Sequence, residues 1–229
     1  MNIVSSDWND RHKALGQLIR NSDFFFQAVD SALALHAELH RAAVSALKDP
    51  NAVDTLFEDI TPIECAVMPT QKDETIAWAV WHIARIEDLT MNLLVNNGSQ
   101  VFDDDWQKRI GTPVRDTGNA MGDDEILSFS RQIFFKDLLQ YRDAVGIRSR
   151  EILRALQPGD MKRKITPENI ARILAEGGVT PHADSVWLLD FWGKKDVAGI
   201  LLMPLTRHQT LHLNDCSLWK KSIRRKASR

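Results

Sequence analysis

Two histidines near the carboxyl end of the chain have the spacing of a metal-binding pair. His208 and His212 are four residues apart, so on a helix both imidazoles leave the same face one turn apart and can reach one ion. Neutral imidazole is the side chain that most often binds metals in proteins. The pair alone is a weak signal, because the chain has 7 histidines and His36 and His40 repeat the same spacing. Histidines that only pack in a core or lie at the surface are the alternative interpretation.

A third histidine strengthens the metal interpretation. His82 falls on the apolar stripe of a predicted helix, between Trp78 and Ile86. A histidine that points into an apolar interface needs partners for both ring nitrogens. A metal ion on one nitrogen and a carboxylate or carbonyl on the other would provide them. Three protein ligands with open positions are typical of catalytic metal sites, so we predict a site made of His82, His208 and His212.

These two motifs resemble those of a known family. Residues 78–88, WAVWHIARIED, are similar to the first metal motif of the DinB-like (YfiT-like) metal-dependent enzymes, and His208 with His212 matches their HxxxH on the last helix. The resemblance covers about residues 20–221 and implies a four-helix bundle with a metal held by three histidines at one end. Characterised relatives include thiol-dependent S-transferases and a mycothiol-dependent maleylpyruvate isomerase. Residues 158–195 depart from the compact pattern of that family, so the resemblance does not identify the substrate.

Four further residues are candidates for roles near this site. Asp215 follows His212 by three residues, so it is a candidate catalytic proton acceptor, or one half of an ion pair at the end of the bundle. His36 is a second catalytic candidate, and with His40 it either lines the pocket, supplies a further ligand or packs in the core. Cys216 lies four residues past His212 and either binds a soft metal or acts as a small buried hydrophobe.

Other metal and nucleophile chemistries lack their motifs in this sequence. No glutamate lies three residues before any histidine, so the pattern of di-iron bundles is missing and a mononuclear site is favoured. HExxH, GxSxG and a glycine-rich phosphate loop are also missing. Glu87 and Asp88 follow His82 by five and six residues, so we expect them to support the site from a distance or to face solvent.

The elements that must position these residues are predicted to be helices, because apolar residues recur at spacings of three and four and strand signals are weak. The long helices are predicted over residues 22–47, 73–96 (or to 98), 125–156 and 196–221. Asp73 is the predicted N-cap of the second helix. The core candidates that matter below are Phe26 and Leu47 in the first helix and Leu127 and Phe134 in the third.

These helices predict an all-α fold, a four-helix bundle within a single domain spanning residues 1–229. Residues 158–195 form an insertion before the last helix, with a loop and one short helix that begins after Thr166 and ends at Gly177. Pro204 cannot donate a hydrogen bond within the last helix, so we expect a kink one turn before His208.

Composition restricts the function classes. A net charge of -2 does not suggest a nucleic-acid partner. No signal peptide and no apolar run long enough for a membrane span are expected. The 2 cysteines form no CxxC pair, which favours reduced thiols and a cytoplasmic location. A small-molecule substrate is expected, and a homodimer through outward helix faces is compatible with such a bundle.

Three hypotheses for function remain open at this level. Three neutral histidines leave the charge of a divalent ion uncompensated, so such an ion acidifies a bound water or thiol. The first hypothesis is therefore a metal-dependent enzyme, either a transferase that uses a low-molecular-weight thiol or a hydrolase. Zinc is the expected metal, and nickel, iron and manganese are alternatives because imidazole binds all of them. The second is a non-catalytic metal- or ligand-binding module, with a possible link to stress, and the third is a scaffold whose histidines only pack.

Overall fold

Helices make up the regular structure of residues 3–228, which the computed structural model describes. Within this range no β-strand forms, and a lone antiparallel bridge joins Lys164 to Asp196. The all-α prediction is therefore confirmed. The α-helices are α1 (Trp8–Leu18), α2 (Phe25–Ala37), α3 (Ala52–Phe57), α4 (Pro62–Cys65), α5 (Ile76–Asp88), α6 (Asp104–Ile110), α7 (Asp123–Gln132), α8 (Phe135–Ala155), α9 (Pro167–Ala175), α10 (Ala183–Gly193), α11 (Val197–Leu202) and α12 (His208–Ala227).

Helix α5 lies at the centre of the core, and all of its residues are buried. It packs against α8 and α12, while α2 packs against α1 and α8. Its N-cap is Thr75, whose hydroxyl accepts a hydrogen bond from the Trp78 amide, so the predicted N-cap at Asp73 is wrong. A π-helical segment, Leu89–Val95, continues α5. The predicted end of this helix near Asn96 is therefore confirmed.

The first predicted helix ends ten residues earlier than expected, at Ala37 rather than Leu47. The side chain of Asn51 donates hydrogen bonds to the carbonyls of Ala37 and His40, at 3.2 and 2.7 Å, and so satisfies groups that a continuing helix would have used. Phe26 and Leu47 are exposed to 78% and 51%, so their assignment to the core is wrong.

The third predicted helix is interrupted and forms the separate helices α7 and α8. Ile133 and Phe134 between them have extended backbone. The Phe134 amide donates to the carbonyl of Ile110 at the end of α6, at 2.8 Å, and this contact stabilises the break. Phe134 is 61% exposed, so its assignment to the core is wrong, and Leu127 is only half-buried.

The insertion contains the expected short helix and one more. Thr166 caps α9 as predicted, and α9 ends before Gly177. Helix α10 was not predicted, because its apolar residues lie on all sides and give no helical period. None of the described helices is both long and apolar enough to cross a lipid bilayer.

The last predicted helix is distorted where Pro204 interrupts it, which confirms that prediction. A π-helical segment, Met203–Arg207, separates α11 from α12. Backbone acceptors near the proline are satisfied by side chains: His12 Nε2 donates to the carbonyl of Leu202 at 3.0 Å, and the Thr206 hydroxyl donates to that of Leu201 at 2.8 Å. Helix α12 therefore begins at His208, directly after the distortion.

Candidate metal centre

Two packed helices bring three histidines together. His82 lies on α5, and His208 and His212 lie one turn apart at the start of α12. Their possible ligand atoms all lie within 4.8 Å of one another. The Nε2 atoms of His82 and His208 are 3.2 Å apart, close to the separation of about 3.3 Å between two nitrogens on a tetrahedral zinc ion. The three ring planes cross at 62°, 70° and 73°, so the rings approach one point from different directions.

The tautomer of His82 follows from its backbone partner. His82 Nδ1 lies 2.8 Å from the carbonyl oxygen of Thr117. A carbonyl oxygen only accepts, so Nδ1 carries the proton and Nε2 keeps its lone pair toward the other two histidines. A metal-binding histidine is usually oriented by such a hydrogen bond from its other nitrogen. His82 is 4% exposed, and the Trp78 indole stacks on it with ring centroids 4.6 Å apart.

The Thr117 carbonyl belongs to an extended loop that runs along α5. Four consecutive carbonyls, from residues 115–118, each accept a hydrogen bond from a side chain of that helix. The donor and acceptor pairs are Arg85 Nε to Arg115 at 2.9 Å, Trp81 Nε1 to Asp116 at 2.9 Å, His82 Nδ1 to Thr117 at 2.8 Å and Trp78 Nε1 to Gly118 at 3.1 Å. The loop is therefore aligned residue by residue with the helix that carries His82.

A buried carboxylate at the end of α5 anchors a second segment, residues 101–102, which lies before α6. Asp88 accepts from the backbone amides of Val101 and Phe102, at 2.8 and 2.9 Å, and from the Tyr141 hydroxyl at 2.7 Å. It also pairs with Arg85 at 3.1 Å. Asp88 and Glu87 are both fully buried, so the alternative that they face solvent is wrong, and the alternative that they support the site from a distance remains.

The three histidines are neutral at ordinary pH. Burial and the nearby His212 lower the pKa of His82 to about 3, although the hydrogen bond to the Thr117 carbonyl opposes this shift. Burial and the two neighbouring rings hold the pKa of His208 well below its usual value. Burial lowers the pKa of His212 to about 4. Metal ions bind the neutral form of imidazole, so no proton has to leave before an ion binds.

The other predicted residues are not part of this group of three possible ligands. Asp215 is half-buried, and its pKa is raised by burial and by Asp73. Cys216 is fully buried, and burial also raises the pKa of its thiol. His36 and His40 lie in a second buried group with Glu87. Thr117 was not predicted, because a backbone carbonyl that acts from a loop leaves no signature in the side-chain pattern.

The comparison with known families agrees with this geometry. The sequence profile of the DinB superfamily matches residues 47–215, which is most of the chain and includes all three clustered histidines. The chain belongs to the DinB superfamily. A comparison with curated proteins gives no match. Within this DinB-superfamily chain, the match begins after α2, so His36 and His40 lie outside it.

Proposed function

We propose that this DinB-superfamily protein binds one divalent metal ion through His82, His208 and His212 and uses it as a metal-dependent enzyme. The observation that carries the proposal is the convergence of three neutral imidazoles, one of them held in the ligand tautomer by Thr117. Zinc is the metal we propose first, because its tetrahedral geometry fits three nitrogens and one open position. Nickel, iron and manganese are the alternatives that a metal analysis would identify.

The reaction class we propose is attack by a thiol or water on a small-molecule substrate. When bound, the ion would lower the pKa of a coordinated thiol or water. The half-buried Asp215 follows His212 by one turn, and its raised pKa makes it a stronger base than an ordinary aspartate, so we assign it the role of proton acceptor. His36 has no exposed surface, and its Nε2 contacts Glu87, so it is less well placed for that role.

The thiol in a transfer reaction would come from a small molecule. Cys65 and Cys216 are both buried, and the pKa of the Cys65 thiol is raised by burial to about 11. A thiolate is the attacking species in such reactions. The two cysteines of the chain are therefore unsuited to the chemistry, and a low-molecular-weight thiol is the partner that this reaction requires.

Metal content tests the proposal directly. Untagged protein, purified without chelator, is analysed by plasma mass spectrometry beside His208→Ala and the control His182→Ala, which changes an exposed histidine at the start of α10. We expect about one metal ion per chain in the parent and the control and none in His208→Ala. No metal in the parent after reconstitution with zinc and nickel would refute the site.

An open coordination position separates an enzyme from a non-catalytic metal-binding module. In cobalt-loaded protein, azide or a small thiol changes the visible spectrum only if it can enter the coordination sphere of the ion. We expect such a change, because His208 and His212 are only partly buried. A spectrum that neither ligand alters would favour the non-catalytic module.

A further inference from the structure

A second buried polar cluster connects α2, α5 and α12. Glu87 Oε1 lies 2.9 Å from His36 Nε2, and Glu87 Oε2 lies 2.9 Å from His40 Nε2. Gln209 Nε2 donates to the same Oε2 at 2.7 Å. None of these four side chains has exposed surface. The carboxylate therefore accepts hydrogen bonds from three N–H groups inside the core.

The ring geometry indicates that this cluster is hydrogen-bonded rather than a metal site. Two imidazoles and a carboxylate are a common ligand set, and these donors lie within 4.8 Å of one another. However, the rings of His36 and His40 are stacked, with centroids 4.3 Å apart and planes at 27°. Imidazole binds a metal close to its own ring plane, and one ion cannot lie in two nearly parallel, stacked planes. Each Nε2 instead faces its own oxygen of Glu87.

The charge of Glu87 is balanced through Gln209. Although burial opposes it, the neighbouring His40 and His36 hold the pKa of Glu87 well below its usual value, so the carboxylate is ionised. The buried guanidinium of Arg142 donates to Gln209 Oε1 at 3.0 Å. The Gln209 amide is thus held at both ends, with its oxygen toward a cation and its nitrogen toward an anion. This fixes the orientation of the amide, because a flipped amide would place its NH2 group against the Arg142 donor and its oxygen against the Glu87 acceptor.

The fixed amide lies between the two helices that carry the metal ligands. Gln209 follows His208 in α12, and its Nε2 also lies 3.3 Å from the carbonyl of Ile83, which follows His82 in α5. One side chain therefore links the residues next to two of the three clustered histidines. We propose that Gln209, oriented by Glu87, is a positioning residue that sets the spacing between His82 and His208. This inference rests on the proposed metal function of those histidines.

Cobalt affinity and the cobalt spectrum test this role in the full chain. Gln209→Met keeps the length of the side chain and removes its hydrogen bonds. We expect it to weaken cobalt binding by about 10–100-fold, as for other residues that orient metal ligands, and to shift the visible spectrum. The control Ser185→Ala removes a buried hydroxyl in α10 that accepts a hydrogen bond from the Thr180 amide, in the insertion rather than on α5 or α12. It should lower the melting temperature and leave the cobalt affinity and spectrum unchanged.

A double-mutant comparison tests whether Glu87 acts through Gln209. If it does, Glu87→Gln combined with Gln209→Met weakens cobalt binding no more than Gln209→Met alone. Additive losses would overturn this link. If Glu87→Gln does not fold, Gln209→Asn, which withdraws the amide from the α5 carbonyl, provides the second variant and is expected to weaken cobalt binding like the Met variant.

Imidazole NMR of the metal-free protein separates failure of this inference from failure of the proposed function. We expect the His82 and His208 ring signals to shift in Gln209→Met but not in Ser185→Ala. Unchanged signals overturn the positioning role, whether or not the parent binds metal. If the signals shift in Gln209→Met and the parent protein binds no metal, the positioning role is supported and the metal function is refuted. If added zinc binds to the Nε2 atoms of His36 and His40, seen as a change in their imidazole NMR signals, the inference is overturned, because the cluster would then be a metal site.

Discussion

Replacement of Gly118 by alanine tests how the loop orients His82. Gly118 has a φ of +75°, a left-handed conformation that favours glycine, and a Cβ built there would lie 2.7 Å from Trp78 Nε1. A residue with a Cβ costs about 1–2 kcal/mol in this conformation. The indole must also move, which weakens its hydrogen bond to the Gly118 carbonyl and costs about 1 kcal/mol more. We therefore expect the free energy of unfolding to fall by about 2–3 kcal/mol.

The same substitution should weaken metal binding, because it affects both groups that hold His82. The Thr117 carbonyl, which fixes the His82 tautomer, is in the adjacent peptide unit, and the Trp78 ring stacks on the imidazole. Displacing such partners typically lowers metal affinity by about 10–100-fold. The loss of affinity is thus expected to accompany the loss of stability, although Gly118 itself is not a ligand.

Urea unfolding of metal-free protein and competition with a chromophoric chelator measure the two effects. Gly159→Ala is the matched control, because no atom lies within 4 Å of a Cβ built there and its φ is -71°. We expect that control to change stability by less than about 1 kcal/mol and to bind metal like the parent. If Gly118→Ala is destabilised but binds metal as tightly as the parent, the loop does not orient His82 and the reasoning is refuted.

Three further predictions concern groups inside the core. In the metal-free fold the pKa values of His82 and His212 are lowered from 6.5 to about 3 and about 4, so below pH 6.5 the unfolded chain binds more protons than the folded one. Stability should then fall as the pH drops toward 4, by about 1.4 kcal/mol per pH unit for each histidine. Urea unfolding at stepped pH measures this slope, and an undiminished slope in His82→Leu would contradict its cause. Asp88→Ala leaves a buried guanidinium unpaired, so we expect a loss of about 3–5 kcal/mol in the same assay, and a loss below about 1 kcal/mol would show that the anchor is dispensable. Cys65 and Cys216 are buried, so neither should react with Ellman's reagent until the protein is unfolded; prompt reaction of the native protein would contradict that burial.

The positions of the metal-binding histidines could be predicted because they depend on local geometry. The spacing of His208 and His212 places both on one face of any helix. His82 was found because it interrupts an apolar stripe. The hydrogen-bond partners were not found: Thr117 acts through a backbone carbonyl 35 residues away from His82. Gln209 was not singled out because nothing in its local sequence shows that it would be fully buried.

Helix boundaries show the same division between local and distant causes. The N-cap at Thr166 was predicted, because capping depends on residues within one turn. The end of α2 depends on Asn51, and the break before α8 depends on the Ile110 carbonyl. Both depend on hydrogen bonds to residues distant in the sequence, which the spacing of apolar residues cannot predict. Helix α1 was missed because few of its residues are apolar, and only Trp8 and Leu15 are buried.

The buried histidines are costly for the fold, and that cost supports a functional interpretation. Among residues 3–228, the Nδ1 atoms of His208, His212, His36 and His40 are buried without a hydrogen-bond partner. Each such group costs about 1–3 kcal/mol. Leucine or methionine would fill these positions without that cost. Local arrangements that oppose stability are expected mainly where function requires them. In this chain, two of these nitrogens belong to the candidate metal site, in His208 and His212, and two belong to the polar cluster that Gln209 joins to that site.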